Sequence, residues 1–395
     1  MKPTIKTFFM IILSSLSIIG AIVGVGFVSG REIVSFFYDY GEIALFLCLL
    51  SFLIETICLY YNLKPTCSNT QVYKKLECDI KNCKISNFCV KNICNIAINN
   101  TKHDIDITKT NGGYNKNFAN YNSGFFDKFY NYTLGFFELL SSSAMIAGIF
   151  QLLSGVKSIN VIVLVIFEIV ALVFVYIFAF VLPGVITKLS GYTSLILFVM
   201  MTVNIVINYV MIKSNTTIYL SFESTNVFGG IFSCVFYVSM NMLSCAGVIK
   251  DIRHKCNSKK AALFVSVLSS FLLHLLIFLC LSLYYSSSSV VAYSMPLVIL
   301  SINAGKGFYY IYYICLLICS LVSLTCVCYS GKHYFNGVLN MNKYSIGILY
   351  LLLSFLFSLL GFNFLVSKIY PFVGMGYIVL TIISKAALIC KKRKI

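Results

Sequence analysis

Charge is scarce in this chain. Of its 395 residues, 11% are charged and 59% hydrophobic, with a mean hydropathy of +0.89. A soluble domain carries about 25% charged and about 45–50% apolar residues, so a water-soluble protein is excluded and an integral membrane protein is indicated. Acids are scarcer still, 13 against 30 Lys and Arg. That positive excess forms no basic stripe with interleaved aromatics on a soluble domain, so nucleic acid is not an expected partner. Catalytic signatures are missing as well: there is no H-E-x-x-H, G-x-S-x-G or P-loop pattern. Of the four histidines, His103, His254 and His333 fall in polar stretches and only His274 in an apolar run. An enzyme is not expected. No A-x-A-like site follows the first apolar run, which exceeds the core of a signal peptide, so that run is expected to be a retained span. Most of the sixteen cysteines lie singly in apolar runs, where Cys acts as a small hydrophobe. Cys67, Cys78, Cys83, Cys89 and Cys94 share one polar stretch without a C-x-x-C pair. That spacing gives little ground for zinc, and in a cytoplasmic loop these thiols would be reduced.

Long apolar runs are what the chain does have. Ten segments are long enough to cross a bilayer at about 20 residues each, near 7–29, 43–63, 132–154, 159–182, 191–212, 226–248, 261–284, 308–330, 345–366 and 369–390. Gly361, Asn363 and Pro371 are expected to make the last turn. With the N-terminus inside, 25 of the 30 basic residues fall on the inner side and 5 outside. Leaving out the long loop, where the rule is unreliable, the contrast is still 15 to 5. A multi-pass protein of the cell membrane with both termini cytoplasmic is expected, its partners being the bilayer and a small solute. The organisation is then 1–63 with spans one and two, 64–131 a polar cytoplasmic insertion, 132–212 with spans three to five, 226–390 with spans six to ten, and 391–395 a basic tail. Low hydrophobicity with many Asn and Lys favours disorder in 64–131 over a small Cys-dependent domain or a partner-binding loop. In the outward loop 285–307, Pro296 suits the first turn of a short helix, which would either cap a cavity or lie in the interface.

Span one contains SIIGAIVGVGFVSGRE, Ser17 to Glu32, with Gly20, Gly24, Gly26 and Gly30. Each Gly in a helix interior costs about 1 kcal/mol relative to Ala. Close helix packing would explain them; so would a helix broken at Val23 to Gly26, exposing carbonyls and amides to a solute. Span six repeats the oddity, with Gly229 and Gly230 at one end and Tyr237, Ser239 and Asn241 in its middle. An Asn in hydrocarbon is expensive unless its amide is satisfied. Spans one and six head two halves of five, and interrupted spans in corresponding halves point to a transporter site at the bilayer midplane.

The segments IGAIVGVGFVSGREI in span one, MIAG (Met145 to Gly148) in span three and YVSMN in span six resemble those of YkvI-type membrane proteins, as do SMPLVIL and LTCVCYSG further on. That family belongs with the amino acid–polyamine–organocation (APC) transporters. The resemblance, which omits 64–131, implies an all-α leucine-transporter-like fold of two inverted five-helix repeats with helices 1 and 6 interrupted. It further implies that amides at Gly24 and Gly26 hold a substrate carboxylate. In span six the break would lie at Tyr237 to Asn241, with Tyr237 as an aromatic wall and Ser239 and Asn241 as polar contacts. Met145 and Gly148 would support the site from span three. Glu55 would brace the broken helices by accepting loose amides of span six, or else snorkel to the interface. A sodium site would draw on Gly20, Val23 and Thr325, but Cys326 stands where a second hydroxyl is needed, and a hard cation prefers oxygen. The alternative coupling ion is a proton. Glu138, Glu168 and His274 are intramembrane ionisable groups, the acids costing about 2.5–3.5 kcal/mol at the bilayer centre, and each is a proton carrier or a structural hydrogen-bonding residue. The function expected is a secondary active transporter moving an amino acid or related amine by alternating access. The alternative is a solute-sensing receptor subunit of the same fold, like those of spore germinant receptors, which would bind without transporting.

Overall fold

A computed structural model of the chain describes residues 5–65, 125–155, 160–213, 226–256, 258–336, 339 and 341–392. By contacts the chain divides into two compact units, Met1–Lys64 with Phe129–Ile395, and Pro65–Lys128. The insertion expected at 64–131 lies outside the described residues except at its ends, and so do its five cysteines and His103.

All regular structure among the described residues is helical. In order these helices are α1 (Ile5–Ile22), α2 (Val25–Val28), α3 (Arg31–Phe36), α4 (Ala44–Leu63), α5 (Phe125–Ser154), α6 (Val161–Tyr176), α7 (Ile186–Lys213), α8 (Val227–Ser244), α9 (Ala246–Arg253), α10 (Lys259–Ser286), α11 (Pro296–Asn303), α12 (Lys306–Asn336), α13 (Lys343–Ser358) and α14 (Tyr370–Lys392). Among the described residues eight helical stretches are long and apolar enough to cross a membrane. Two shorter apolar helices, Phe8–Ile22 and Tyr344–Ser358, occupy the first and ninth expected segments. The protein is an all-α, multi-pass membrane protein. Its outer surface is correspondingly apolar: Ile162, Val163, Val165, Ile166, Ile169, Val170 and Val173 of α6 are all exposed. Such a continuous belt suits lipid, and intrahelical bonds satisfy the backbone there.

The main helix pairings recur in the two halves. α1 packs chiefly against α7 and α8 against α14, while α4 packs against α10. Small residues allow the α1–α7 approach. A Cβ on Gly20 would overlap the Ser190 carbonyl oxygen, and one on Gly191 would meet Leu13 and Ser17. The Ser194 hydroxyl donates to the Leu16 carbonyl at 2.6 Å and the Ser190 hydroxyl to that of Ser17 at 3.3 Å. Packing therefore accounts for Gly20. It also accounts for Gly148, whose Cβ would meet Val25 and Phe362.

Four boundaries differ from expectation. The stretch after span one is not an outer loop: α3 carries Glu32, Ile33, Val34 and Phe36 back into the interior. Span five begins at Ile186, because a wide π turn over Ile177–Val181 and a 3-10 turn at Pro183–Val185 bring α6 directly into it. The last turn is made at Gly361, at φ +88°, where L side chains are strained. Pro371 instead lies inside a helix whose preceding π turn, Leu365–Ile369, accommodates the missing N–H. Finally, Tyr237 to Asn241 lie in the continuous helix α8, and the interruption of span six falls at Cys245. The short helix α11 begins at Pro296 as the sequence suggests, and the Leu297 N–H donates to the Ser29 carbonyl at 2.9 Å, docking it on the end of span one.

Candidate functional site

Span one is interrupted where its glycines cluster. α1 ends at Ile22, Val23 and Gly24 are non-helical, and Gly24 is extended (φ −93°, ψ −169°). Four amides of a new helix start lack intrahelical acceptors, and the N–H groups of Val25, Gly26 and Phe27 find no backbone acceptor among the described residues. The carbonyls near the gap are partly engaged: Ala21 accepts from the Ser323 hydroxyl at 3.2 Å and Val28 from the Tyr312 hydroxyl at 3.2 Å. The Met145 methyl lies 2.6 Å from where a Cβ on Gly24 would stand, and the Ser323 hydroxyl 3.5 Å from it. A Cβ on Gly26 would overlap the carboxyl of Glu32.

Next to this gap the helices bring together buried polar side chains whose hydrogen-bonding capacity is largely unmet. Glu55 of α4, His274 of α10, and Tyr237 and Asn241 of α8 are each at most 5% exposed. The His274 Nε2 lies 4.0 Å from a Glu55 carboxyl oxygen. His274 Nδ1 is 2.9 Å from the Ser270 carbonyl; a carbonyl only accepts, so Nδ1 carries the hydrogen and Nε2 faces the acid. The Asn241 amide and the Tyr237 phenol adjoin Glu55. No well-formed hydrogen bond meets the Glu55 oxygens, the Asn241 amide, Tyr237 Oη or His274 Nε2 among the described residues; the Asn241 amide makes only loose contacts with the Glu55 carboxyl and the Tyr237 phenol. Phe36 and Phe37 pack on the Tyr237 ring at 5.4 and 5.1 Å between centroids, supporting it as an aromatic wall. Each buried polar atom left unmatched costs about 1–3 kcal/mol, so a cluster of six calls for a functional explanation.

The other candidate residues separate from this cluster in instructive ways. The Ser239 hydroxyl donates to the Val235 carbonyl of its own helix at 2.8 Å. The Thr325 hydroxyl likewise donates to Leu321 at 2.7 Å, so the span-eight hydroxyl that reaches span one is Ser323, not Thr325. Glu55 accepts no backbone amide of span six among the described residues. Glu168 lies in α6, which packs on α12 and α13. Glu138 is fully buried in α5 with both oxygens partnerless among the described residues, and it adjoins Cys245 at the second interruption. That interruption is otherwise sealed. The Ser330 hydroxyl accepts from the Gly247 N–H at 2.9 Å and lies 3.2 Å from the Ser244 carbonyl, replacing the lost ladder on both sides. A cavity of about 230 Å³, lined by Ala246, Gly247, Lys250 and His333 among others, opens here.

Three buried polar side chains at the interruptions and the fourth span are not singled out by the sequence. Ser330 lay inside the LTCVCYSG motif, and an intramembrane serine four residues from Cys326 was a usable signal. Lys332, counted as an inner-loop charge, is buried and donates to the carbonyls of Phe180 (3.1 Å) and Ala179 (3.4 Å) near the end of the fourth span. There a cation offsets the negative end of the helix. Glu32 is 1% exposed against Gly26, with Oε2 partnerless among the described residues; no local pattern marks its burial, which depends on α3 turning inward. Among the described residues no three His, Cys, Asp or Glu stand close enough to hold a metal ion. Compared with known proteins, the chain matches no family model and no curated protein.

Proposed function

We propose that the protein is a secondary active transporter that moves a small solute, an amino acid or related amine, by alternating access. The observation that carries this reading is the span-one interruption at Val23–Gly24 lying beside the buried, poorly hydrogen-bonded polar cluster of Glu55, Tyr237, Asn241 and His274. Unwound backbone inside a membrane protein is tolerated where it lines a solute path. The second interruption at Cys245 and the recurrent pairing of α1 with α7 and α8 with α14 support two related halves. The resemblance to YkvI-type members of the APC superfamily points the same way. So does the asymmetry of basic residues, which favours a cell-membrane protein with both termini cytoplasmic.

On this reading the solute's polar groups pair with the loose amides of Val25 to Phe27 and with the side chains of the cluster, while Phe36 and Phe37 back the Tyr237 wall. Coupling favours a proton over sodium: Thr325 spends its hydroxyl within its own helix, whereas Glu55 and His274 form a buried acid–base pair at 4.0 Å. Uptake of amino acids and amines into proteoliposomes is the direct test. Accumulation under an imposed proton gradient is expected. No accumulation under either a proton or a sodium gradient would overturn the reading.

A further inference from the structure

Glu32 has no role so far in the proposed cycle, yet its setting is chemically specific. It is 1% exposed, its carboxyl covers Gly26 at the start of α2, and its Oε2 has no partner among the described residues. The buried groups facing it from other helices are neutral or acidic. Tyr237 of α8 and Tyr370 of α14 lie within electrostatic reach of its carboxyl. From α10, the Tyr284 hydroxyl lies over Gly30, and His274 stands behind Tyr237. Arg31 on the same helix points away, with its guanidinium 3.5 Å from the Val291 carbonyl and its charge facing Asp39. Lys368 on the adjoining turn is exposed. The nearest histidine, His274, faces Glu55 at 4.0 Å and not Glu32. An ionised carboxylate so placed, with no countercharge, is too costly to persist and takes up a proton instead.

We propose that Glu32 recognises the ammonium group of the solute, which is therefore a cationic or zwitterionic amine and not a simple carboxylate. This rests on the reading of the gap as a solute site. With the site empty, Glu32 is the neutral acid. When R–NH3+ enters, the Glu32 O–H bond breaks, the carboxylate pairs with the ammonium, and one proton passes to solvent. Charge balances, and no oxidant or co-reactant is required. Tyr237, held between Glu32 and Glu55, then donates its phenolic hydrogen to one of the two carboxyls.

The consequence is a linkage between amine binding and pH. Full-length protein in detergent would be titrated calorimetrically with common L-amino acids, the amines left by their decarboxylation and the acids left by their deamination, in two buffers of different ionisation enthalpy. Amino acids and amines should bind and the deaminated acids should not. Affinity should rise about tenfold per pH unit between about pH 6 and about pH 8, with one proton released per amine bound. Glu32→Gln should abolish that slope and weaken amines at least about a hundredfold. Glu32→Asp should keep the slope at lower affinity, and Glu42→Gln, which alters an exposed acid, should match the native protein. Amine binding without proton release, unchanged in Glu32→Gln, overturns the assignment while leaving transport standing; equal binding of the deaminated acids does the same. Failure of every probe to bind, together with no uptake into liposomes, removes the solute site itself and this assignment with it.

Discussion

The two interrupted helices solve the same problem in opposite ways. At Val23–Gly24 the backbone is opened and left open: Gly24 is extended, the next three amides lack backbone acceptors among the described residues, and buried polar side chains with poorly formed hydrogen bonds gather nearby. At Cys245 the backbone is opened and at once repaired by the Ser330 hydroxyl, which serves Ser244 and Gly247 together. Unsatisfied groups in a membrane interior persist only where something else meets them, whereas satisfied groups can sit at a bend for mechanical reasons. The difference teaches that an interrupted span is not by itself a binding site. The first break has the chemistry of a site, and the second has that of a hinge facing a cavity of about 230 Å³.

The largest expected effect is at the first break. In Gly24→Leu the new side chain must enter the space of the Met145 methyl, 2.6 Å from its Cβ, and Gly26→Leu must displace Glu32. Both should lower solute uptake at least about a hundredfold while the protein still inserts and purifies as a single species. Unchanged uptake in both variants would reduce the first break to packing, as at Gly20. Next comes Ser330→Ala, which removes the repair and leaves a buried N–H and C=O unmatched, at about 1–3 kcal/mol for each group. It should lower the unfolding midpoint in detergent yet leave solute affinity within about twofold. A loss of affinity like that of Gly24→Leu would erase the distinction between site and hinge.

What was legible follows from which forces act locally. Apolar run lengths mark the crossing segments, because hydrocarbon thickness fixes helix length, and the Gly20–Gly26 cluster marks the first break, because glycine lowers helix stability directly. The second break was placed wrongly, at Tyr237 to Asn241, because a polar residue in mid-span looks like a gap. In fact Asn241 remains helical, and the chain opens where a hydroxyl from a distant helix, Ser330, can take over the bonds. No local pattern around Cys245 encodes that. Glu32 was illegible for a related reason: its burial depends on α3 turning inward over Gly26, which the neighbouring Arg31 disguises. His274 was noticed as the one histidine in a span, but its partnership with Glu55 across 219 positions is a tertiary fact.

A smaller effect separates two hydroxyls of the eighth span. Ser323 reaches the Ala21 carbonyl at the first break, while Thr325 bonds only its own helix. Ser323→Ala should lower uptake about three- to tenfold, the worth of one net hydrogen bond. Thr325→Ala should change it less than about twofold under either a proton or a sodium gradient. A sodium-specific defect in Thr325→Ala would restore the sodium site that the resemblance implies and place Thr325, despite its bond to Leu321, among the ion's ligands.

The smallest effect tests how the hinge side responds to solvent. Asp251, on the helix that follows the second break, is half-buried; burial pushes its carboxyl above the usual range, while the Tyr329 hydroxyl at 3.2 Å and the charges of Lys255, His254 and Lys250 pull it back. Because the folded value stands above the unfolded one, the folded state binds more protons in the window between them. Its contribution to stability is therefore present at low pH and lost as pH rises through the folded value. Asp251→Asn cannot ionise, so it should match the native protein at acid pH and exceed it by about 1 °C in unfolding midpoint above neutrality. A decrease above neutrality would mean that the Tyr329 bond and the nearby cations outweigh burial, and that this helix is anchored by the carboxylate itself. The same substitution should leave the pH slope of amine binding untouched, since that slope is assigned to Glu32 at the other break.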